Sequence, residues 1–409
     1  MTLETVIGDT PESRATSLIV TLAALIYEIS NTEDSQDASA SHLTPAGELC
    51  YRYQTVPDSI VQGRLVMGYG SGGGSARAAR RPLILVLVLM LVGGAAMVTG
   101  AGADTSKQAQ AIKVALITKD ATNPFFVKMR AGATAQAKKL GAELRYAAGK
   151  SSSDNAGQIT AIENMVTAGV KGILITVADG KAQVPAIQKA RSAGVFVIAL
   201  DTPTVPRNAT DALFATNNFN AGILIGKYAR AATKGKDVTI AMIDEHAGSS
   251  VGALRHNGFL RGFGIKNSDS RIVCTGNGQG QTAPSQTAME NCLQKDPEIN
   301  VVYTINEPSA AGAWNALKRA GKSQGEVTIV SVDGGCAGVR NVRAGIIDAT
   351  SQQYPLKMAA LGVAAVVKFA KTGQKARGYT DTGVNLIAKK AAPGVKSKSV
   401  KYGLANCWG

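Results

Sequence analysis

From Lys113 to the C-terminus the sequence switches repeatedly between two periodicities, and this alternation constrains the fold more than any other feature. Short runs rich in β-branched residues occur at Val114–Thr118, Ile173–Val177, Val195–Leu200, Val238–Ile243, Val301–Ile305 and Thr328–Val332. Between them lie segments whose apolar residues recur with a helical period, such as Gln158–Ala168 and Ala311–Ala320. Gly141, Gly169, Gly194 and Gly321 stand just before the next β-rich run, where a helix ends in a left-handed residue. Strand–helix–strand repetition requires a parallel sheet with helices on both faces. The alternating region is longer than one such sheet usually needs, so the expected fold is α/β with two doubly wound lobes.

Composition narrows the class. The chain has 409 residues, of which 45% are hydrophobic and 18% charged. That apolar content excludes a wholly disordered chain, and five cysteines are too few for a disulfide scaffold of this length. The formal charge of +15 raises the question of nucleic acid. It divides unevenly, with −6 over residues 1–66, +3 over 67–103 and +18 over 104–409. The lysines of the last segment are scattered, with no aromatic interleaving and no helix-turn-helix pattern. They are expected to form a solvated face, and no nucleic-acid partner is expected.

Arg77, Arg80 and Arg81 precede the apolar, uncharged run Leu83–Met97, and Ala101-Gly102-Ala103 follows before Asp104. This order is that of a cleaved secretory signal, so residues 67–103 are expected to be a signal peptide. An uncleaved membrane anchor is the alternative reading. Residues 1–66 are acidic and precede Met67. They are expected to be an extension from a misassigned start, with a small cytoplasmic domain as the other reading. Export to the periplasm is thus expected, and disulfides become available there. Four cysteines remain after residue 103, allowing three pairings. Cys274 with Cys292 is favoured, because a strand and the following helix run antiparallel over a short spacing. Cys336 would then pair with Cys407.

Candidate site residues lie where β-rich runs stop, the end of a doubly wound sheet at which ligands bind. Asn123-Pro124-Phe125-Phe126 follows the first run, and two adjacent rings cannot both face a helix–sheet core, so at least one should point into a cleft. Asp201-Thr202, Asn306-Glu307 and Asp333-Gly334-Gly335 end later runs. Each polar residue could simply cap a helix, but several together favour a polar pocket. The three histidines lack metal-ligand spacing. The Gly276–Gly280 stretch lacks the third-glycine spacing of a dinucleotide loop, and no nucleophile elbow is present. No cofactor, no metal and no enzymatic activity are expected.

From Lys113 onward the chain resembles the periplasmic sugar-binding proteins of ABC importers, of the ribose-binding type. The resemblance rests on Asn123-Pro124-Phe125-Phe126, Asp201, Arg255-His256-Asn257-Gly258-Phe259, Asn306-Glu307, Val332-Asp333-Gly334 and Gln353. Asn291–Gly312, Ser331–Gly338 and the Cys407-Trp408-Gly409 ending are most similar to a fructose-importing subgroup. The resemblance implies a type I periplasmic binding protein. One lobe would comprise 104–216 and 354–382, the other 217–353 and 383–409, with hinge crossings near Thr216, Gln353 and Thr382. It implies a monosaccharide ligand between the lobes. Asn123, Phe125, Phe126 and Asp201 would act from the first lobe, Arg255, Asn306 and Asp333 from the second, and Gln353 at a hinge. Rings would cover a sugar's C–H face and charged groups would bond its hydroxyls. It further implies a monomer that delivers sugar to an ABC permease with its ATPase. A sugar sensor, or the effector half of a repressor, is the alternative.

Two positions depart from the ribose pattern. Thr202 stands where that pattern has an arginine, and no aromatic occurs near Gly280. One charged donor and one stacking face are absent, which directs the expectation away from ribose and toward fructose or a related sugar.

Overall fold

The computed structural model describes residues 111–409. The expected N-terminal extension, the expected signal peptide with its Met67 start and the first residues of the expected N-terminal lobe lie outside the described residues. Among the described residues no helix is long and apolar enough to cross a membrane.

Two six-stranded sheets organise the chain. The first contains β1 (Lys113–Thr118), β2 (Glu143–Ala148), β3 (Gly172–Ile175), β4 (Phe196–Leu200), β5 (Ala212–Ala215) and β11 (Gly378–Asp381), in the order β11-β5-β4-β3-β1-β2 and parallel throughout. The second contains β6 (Ile240–Asp244), β7 (Ile272–Asn277), β8 (Val301–Thr304), β9 (Thr328–Asp333), β10 (Ala349–Gln352) and β12 (Asn385–Ala388). Its order, β12-β10-β9-β8-β6-β7, repeats the first, with β12 antiparallel to β10. Both sheets are doubly wound, as the alternation predicts.

Helices α1 (Pro124–Lys139), α2 (Asn155–Thr167), α3 (Val184–Ser192) and α9 (Pro355–Thr372) cover the first sheet. Helices α4 (Asn218–Ala232), α5 (Ser250–Phe263), α6 (Thr282–Lys295), α7 (Glu307–Arg319), α8 (Cys336–Ala344) and α10 (Val400–Asn406) cover the second. The central strands are continuous apolar runs because both faces are covered. Val114, Leu116, Ile173, Ile175 and Ile198 have no exposed surface, and each such side chain contributes about 1.5–3 kcal/mol relative to exposure. Gly169 and Gly321, after α2 and α7, have φ of +71° and +79°, the left-handed geometry expected of helix-ending glycines.

The chain passes between the sheets three times, between β5 and α4, β10 and α9, and β11 and β12. The crossings lie side by side. The Thr382 N–H donates to the Ala215 carbonyl (3.0 Å), and the Thr216 hydroxyl donates to the Gly383 carbonyl (3.0 Å).

Disulfides join Cys274 to Cys292 and Cys336 to Cys407. The first fastens β7 to α6. The second fixes the C-terminal tail to the start of α8.

Candidate functional site in the cleft between the lobes

The carboxyl ends of both sheets converge on one cavity. It is lined by Asn123, Phe125, Phe126 and Asp201 from the first lobe and by Arg255, Asn306 and Asp333 from the second, with Gln353 at a crossing. All eight residues singled out from the sequence are therefore brought together. Its volume is about 30 Å³, roughly the share of one water in the liquid, and bonds such as Lys119–Glu245 and Ser152–Gln279 cross it, so the lobes are closed on one another.

Arg255 is the hub. It stands on α5, which packs so closely on α4 that a Cβ on Gly222 would lie 2.2 Å from the Arg255 carbonyl oxygen. The guanidinium is buried. Nε donates to Asn218 Oδ1 (2.8 Å) and Nη1 to the Ile305 carbonyl (2.9 Å). Nη2 lies 3.6 Å from Asp201 Oδ1, across the cleft, and Nη1 lies 3.8 Å from Asp333 Oδ1. Gln353 Nε2 donates to Asp333 Oδ1 (2.8 Å), while Gln353 Oε1 is buried without a hydrogen-bond partner among the described residues. Burial pushes the Asp333 carboxyl up to about 6, even though Arg255 and Gln353 pull it down. Asp201, at φ +60°, turns its backbone sharply at the end of β4 and is steadied by the Thr202 hydroxyl (3.0 Å) and Asn218 Nδ2.

Asn123 and Asn306 both act as helix caps. Asn123 Oδ1 accepts from the Phe125 N–H (3.0 Å), and Asn306 Oδ1 from the Ser309 N–H (3.0 Å) while its Nδ2 donates to the Gly280 carbonyl (2.9 Å). Capping and lining the cavity are thus not alternatives here. The neighbouring Glu307 does not line the cavity. It accepts hydrogen bonds from the N–H groups of Gly334 and Gly335 and from the Thr350 hydroxyl, and so shapes the loop that follows Asp333. Burial, then the Asp333 charge, raises its pKa well above the usual range.

The two phenylalanines meet the expectation that at least one ring reaches the cleft and correct its premise that both cannot join a core. Both rings line the cavity, yet both also belong to the apolar core of the first lobe. Trp408 belongs to the same core and packs beside them. Its ring meets Phe125 edge-on at 5.6 Å, and its Nε1–H donates to the Gln353 carbonyl (2.8 Å). The tryptophan follows Cys407, so the disulfide to Cys336 sets its position.

Sequence reasoning missed Lys119, Asp120, Ser152, Glu245 and Gln279, all of which line the cavity. Lys119 and Glu245 directly follow β1 and β6, and the strand-end argument could have found them. Lys119 Nζ meets Glu245 Oε1 at 3.0 Å and Oε2 at 3.2 Å. Burial opposes ionisation of Glu245, but Lys119 and the Ser249 hydroxyl outweigh it and hold the carboxyl below its ordinary value. Ser152 Oγ donates across the cleft to the Gln279 carbonyl (2.9 Å).

Two doubly wound lobes, triply connected and enclosing a polar cavity at their strand ends, define the type I periplasmic binding protein fold. The chain belongs to that family, since the sequence profile of the periplasmic binding protein domain matches residues 114–375. It is similar to the ribose import binding protein of Escherichia coli K12, at 28% identity over 68% of this chain and 90% of the relative. It is also similar to the D-allose-binding periplasmic protein of the same organism, at 27% identity over 64% and 86%. Among solved structures, an ABC transporter solute-binding protein from Agrobacterium vitis with bound D-fucose superposes with a TM-score of 0.65 at 27% identity, covering 73% of this chain and all of that one. These relatives are sugar-binding transport proteins.

Proposed function

We propose that this protein is an extracytoplasmic receptor that captures a neutral monosaccharide between its lobes and delivers it to an ABC permease driven by its ATPase. The observation that carries the proposal is the convergence of Asn123, Phe125, Phe126, Asp201, Arg255, Asn306, Asp333 and Gln353 on one interlobe cavity. Apolar rings beside carboxylates, amides and a guanidinium suit a sugar, which presents C–H faces and hydroxyls together. Four carboxyl groups, Asp120, Asp201, Glu245 and Asp333, stand around the cavity against two cations, Lys119 and Arg255. That balance disfavours sugar acids and sugar phosphates. The three side-by-side crossings supply the hinge about which lobes 104–216 plus 354–382 and 217–353 plus 383–409 would open.

Within this class the ligand we propose is fructose or a related pentose or hexose. Thr202 and the ring-free Gly280 edge support a sugar other than ribose. Residues 67–103 would direct export to the periplasm. The test is a thermal-shift screen of the purified protein against monosaccharides. A bound sugar at a hundred times its dissociation constant adds about 2.7 kcal/mol to stability. A shift with a neutral hexose or pentose and none with its uronic acid or phosphate is expected. No shift with any monosaccharide would overturn the reading.

A further inference from the structure

Lys119 and Glu245 occupy equivalent places in the two lobes. Each is the residue directly after the strand that sits second from its sheet edge, β1 in one sheet and β6 in the other. They are 126 positions apart in sequence and on opposite sides of the cleft, so their bond exists only while the lobes are together. Both side chains are almost fully buried, at 3% and 7% exposure. Lys119 Nζ also lies 3.4 Å from Ser249 Oγ, and the Ser249 hydroxyl donates to Glu245 Oε2.

The pair lies along the edge of the cavity that carries no ring. A Cβ built on Gly280 would lie 3.9 Å from Glu245 Oε1 and 3.1 Å from Asn306 Nδ2. A ligand at this edge therefore meets a carboxylate, an ammonium and an amide rather than an apolar face. Burying these charges costs free energy that a bare C–H surface cannot return. A hydroxyl can, because it donates to a carboxylate and accepts from an ammonium.

We propose that Lys119 and Glu245 form an interlobe charge pair that determines specificity, closing over the ligand and selecting a neutral monosaccharide that presents a hydroxyl toward the Gly280 edge. This rests on the monosaccharide reading above. Removing that one hydroxyl leaves the pair only each other and Ser249 as partners, whereas removing a hydroxyl elsewhere leaves the partners of this pair unchanged.

The test is calorimetric titration of the wild type, Lys119→Met, Glu245→Gln and the double variant. Each is titrated with the preferred neutral monosaccharide from the thermal-shift screen and with its deoxy analogues, one hydroxyl removed at a time. In the wild type the deoxy position at this edge should bind roughly tenfold to a hundredfold more weakly than the parent sugar, the range for a hydrogen bond to a charged group. In the variants the penalty at that one position should shrink while the penalties at the other positions stay, and circular dichroism should show the fold intact. A pair that merely clamps the lobes would lower all affinities by one common factor and leave the deoxy profile unchanged, which would overturn the proposal. Unchanged affinity and profile in all three variants would overturn it too. A wild type that binds no monosaccharide overturns both this inference and the function on which it rests.

Discussion

Replacing Arg255 by alanine should weaken sugar binding while leaving both lobes folded, and the size of the effect follows from how the guanidinium is shared. Its bonds to Asn218 Oδ1 and the Ile305 carbonyl stay within the second lobe and persist whether the cleft is open or shut. The contact with Asp201, at 3.6 Å, crosses the cleft. Closure of the variant therefore buries Asp201 and Asp333 with no guanidinium between them. Breaking a buried ion pair from one side costs about 3–5 kcal/mol, but Asp333 offers partial relief. Its carboxyl already sits at about 6, so taking up a proton at pH 7 costs about 1.4 kcal/mol or less. The net loss should be about 2–3 kcal/mol, at least tenfold in affinity.

The same reasoning fixes a pH dependence. With Arg255 gone, the largest offset to the burial that raises Asp333 is lost and only lesser ones such as the Gln353 bond remain, so closure of the variant takes up a proton. Its affinity should rise as pH falls from 8 to 6, whereas the wild type should bind almost equally well at pH 7 and 8. Isothermal titration calorimetry at pH 6, 7 and 8, in buffers of different ionisation enthalpy, measures both the affinity and the proton uptake. A variant that binds like the wild type, or one that is weaker by the same factor at every pH, would refute this account of the site.

Gly222→Ala should reduce thermal stability and sugar affinity together, since the new Cβ would sit 2.2 Å from the Arg255 carbonyl oxygen and overpacking costs about 1–3 kcal/mol; calorimetry and melting curves read both. The Cys336→Ser, Cys407→Ser pair opens a loop with a sequence separation of 71 and should cost about 4 kcal/mol in the chain-entropy model, measured by denaturant titration. His256 is held above its ordinary 6.5, because bonds to Asp244 and Asn267 prevail over burial. Stabilisation by the imidazolium is therefore complete below pH 6.5 and lost as pH rises through the higher folded value. His256→Gln should narrow the gap to the wild type across that rise, and a gap independent of pH from 5 to 9 would refute the assignment.

The parts of the fold legible in the sequence are those where covalent order and burial coincide. β1, β3, β4, β6, β8 and β9 are buried, mostly apolar strands with helices on both sides, and their runs of valine and isoleucine announce them. β10 shows why others were not. Ala349-Thr350-Ser351-Gln352 is polar, yet fully buried, because the donor group of each polar side chain has a dedicated acceptor, although Gln352 Oε1 has no partner among the described residues. Thr350 donates to Glu307, Ser351 to the Ala221 carbonyl, and Gln352 to the Gly334 and Gly403 carbonyls. No periodicity encodes that. The edge strands β2 and β7 are half-exposed and mixed in composition, so they too lack a hydrophobic signature. At the site, strand ends located Asp201, Asn306 and Asp333. The contribution of Trp408 depends on a tail returning from the far end of the chain, and local pattern carries no trace of it.

The charges of the cavity show why the lobes, and not one of them, make the site. Arg255 faces Asp201 across the cleft and Lys119 faces Glu245, so each lobe holds one member of each pair, and the pairs run in opposite senses. In the open state all four charges can be hydrated, and solvent screens them. On closure each loses water and gains one partner, an exchange that comes out near balance for buried ion pairs. A near-balanced closure leaves the decision to the ligand, because a few hydrogen bonds from sugar hydroxyls suffice to tip it. A cleft lined only by apolar groups would tend to close on itself. One with like charges on facing lobes would resist closing even around a ligand. Opposed pairs of opposite sense avoid both, and under the function proposed above they would tie closure to a neutral, hydroxyl-rich guest.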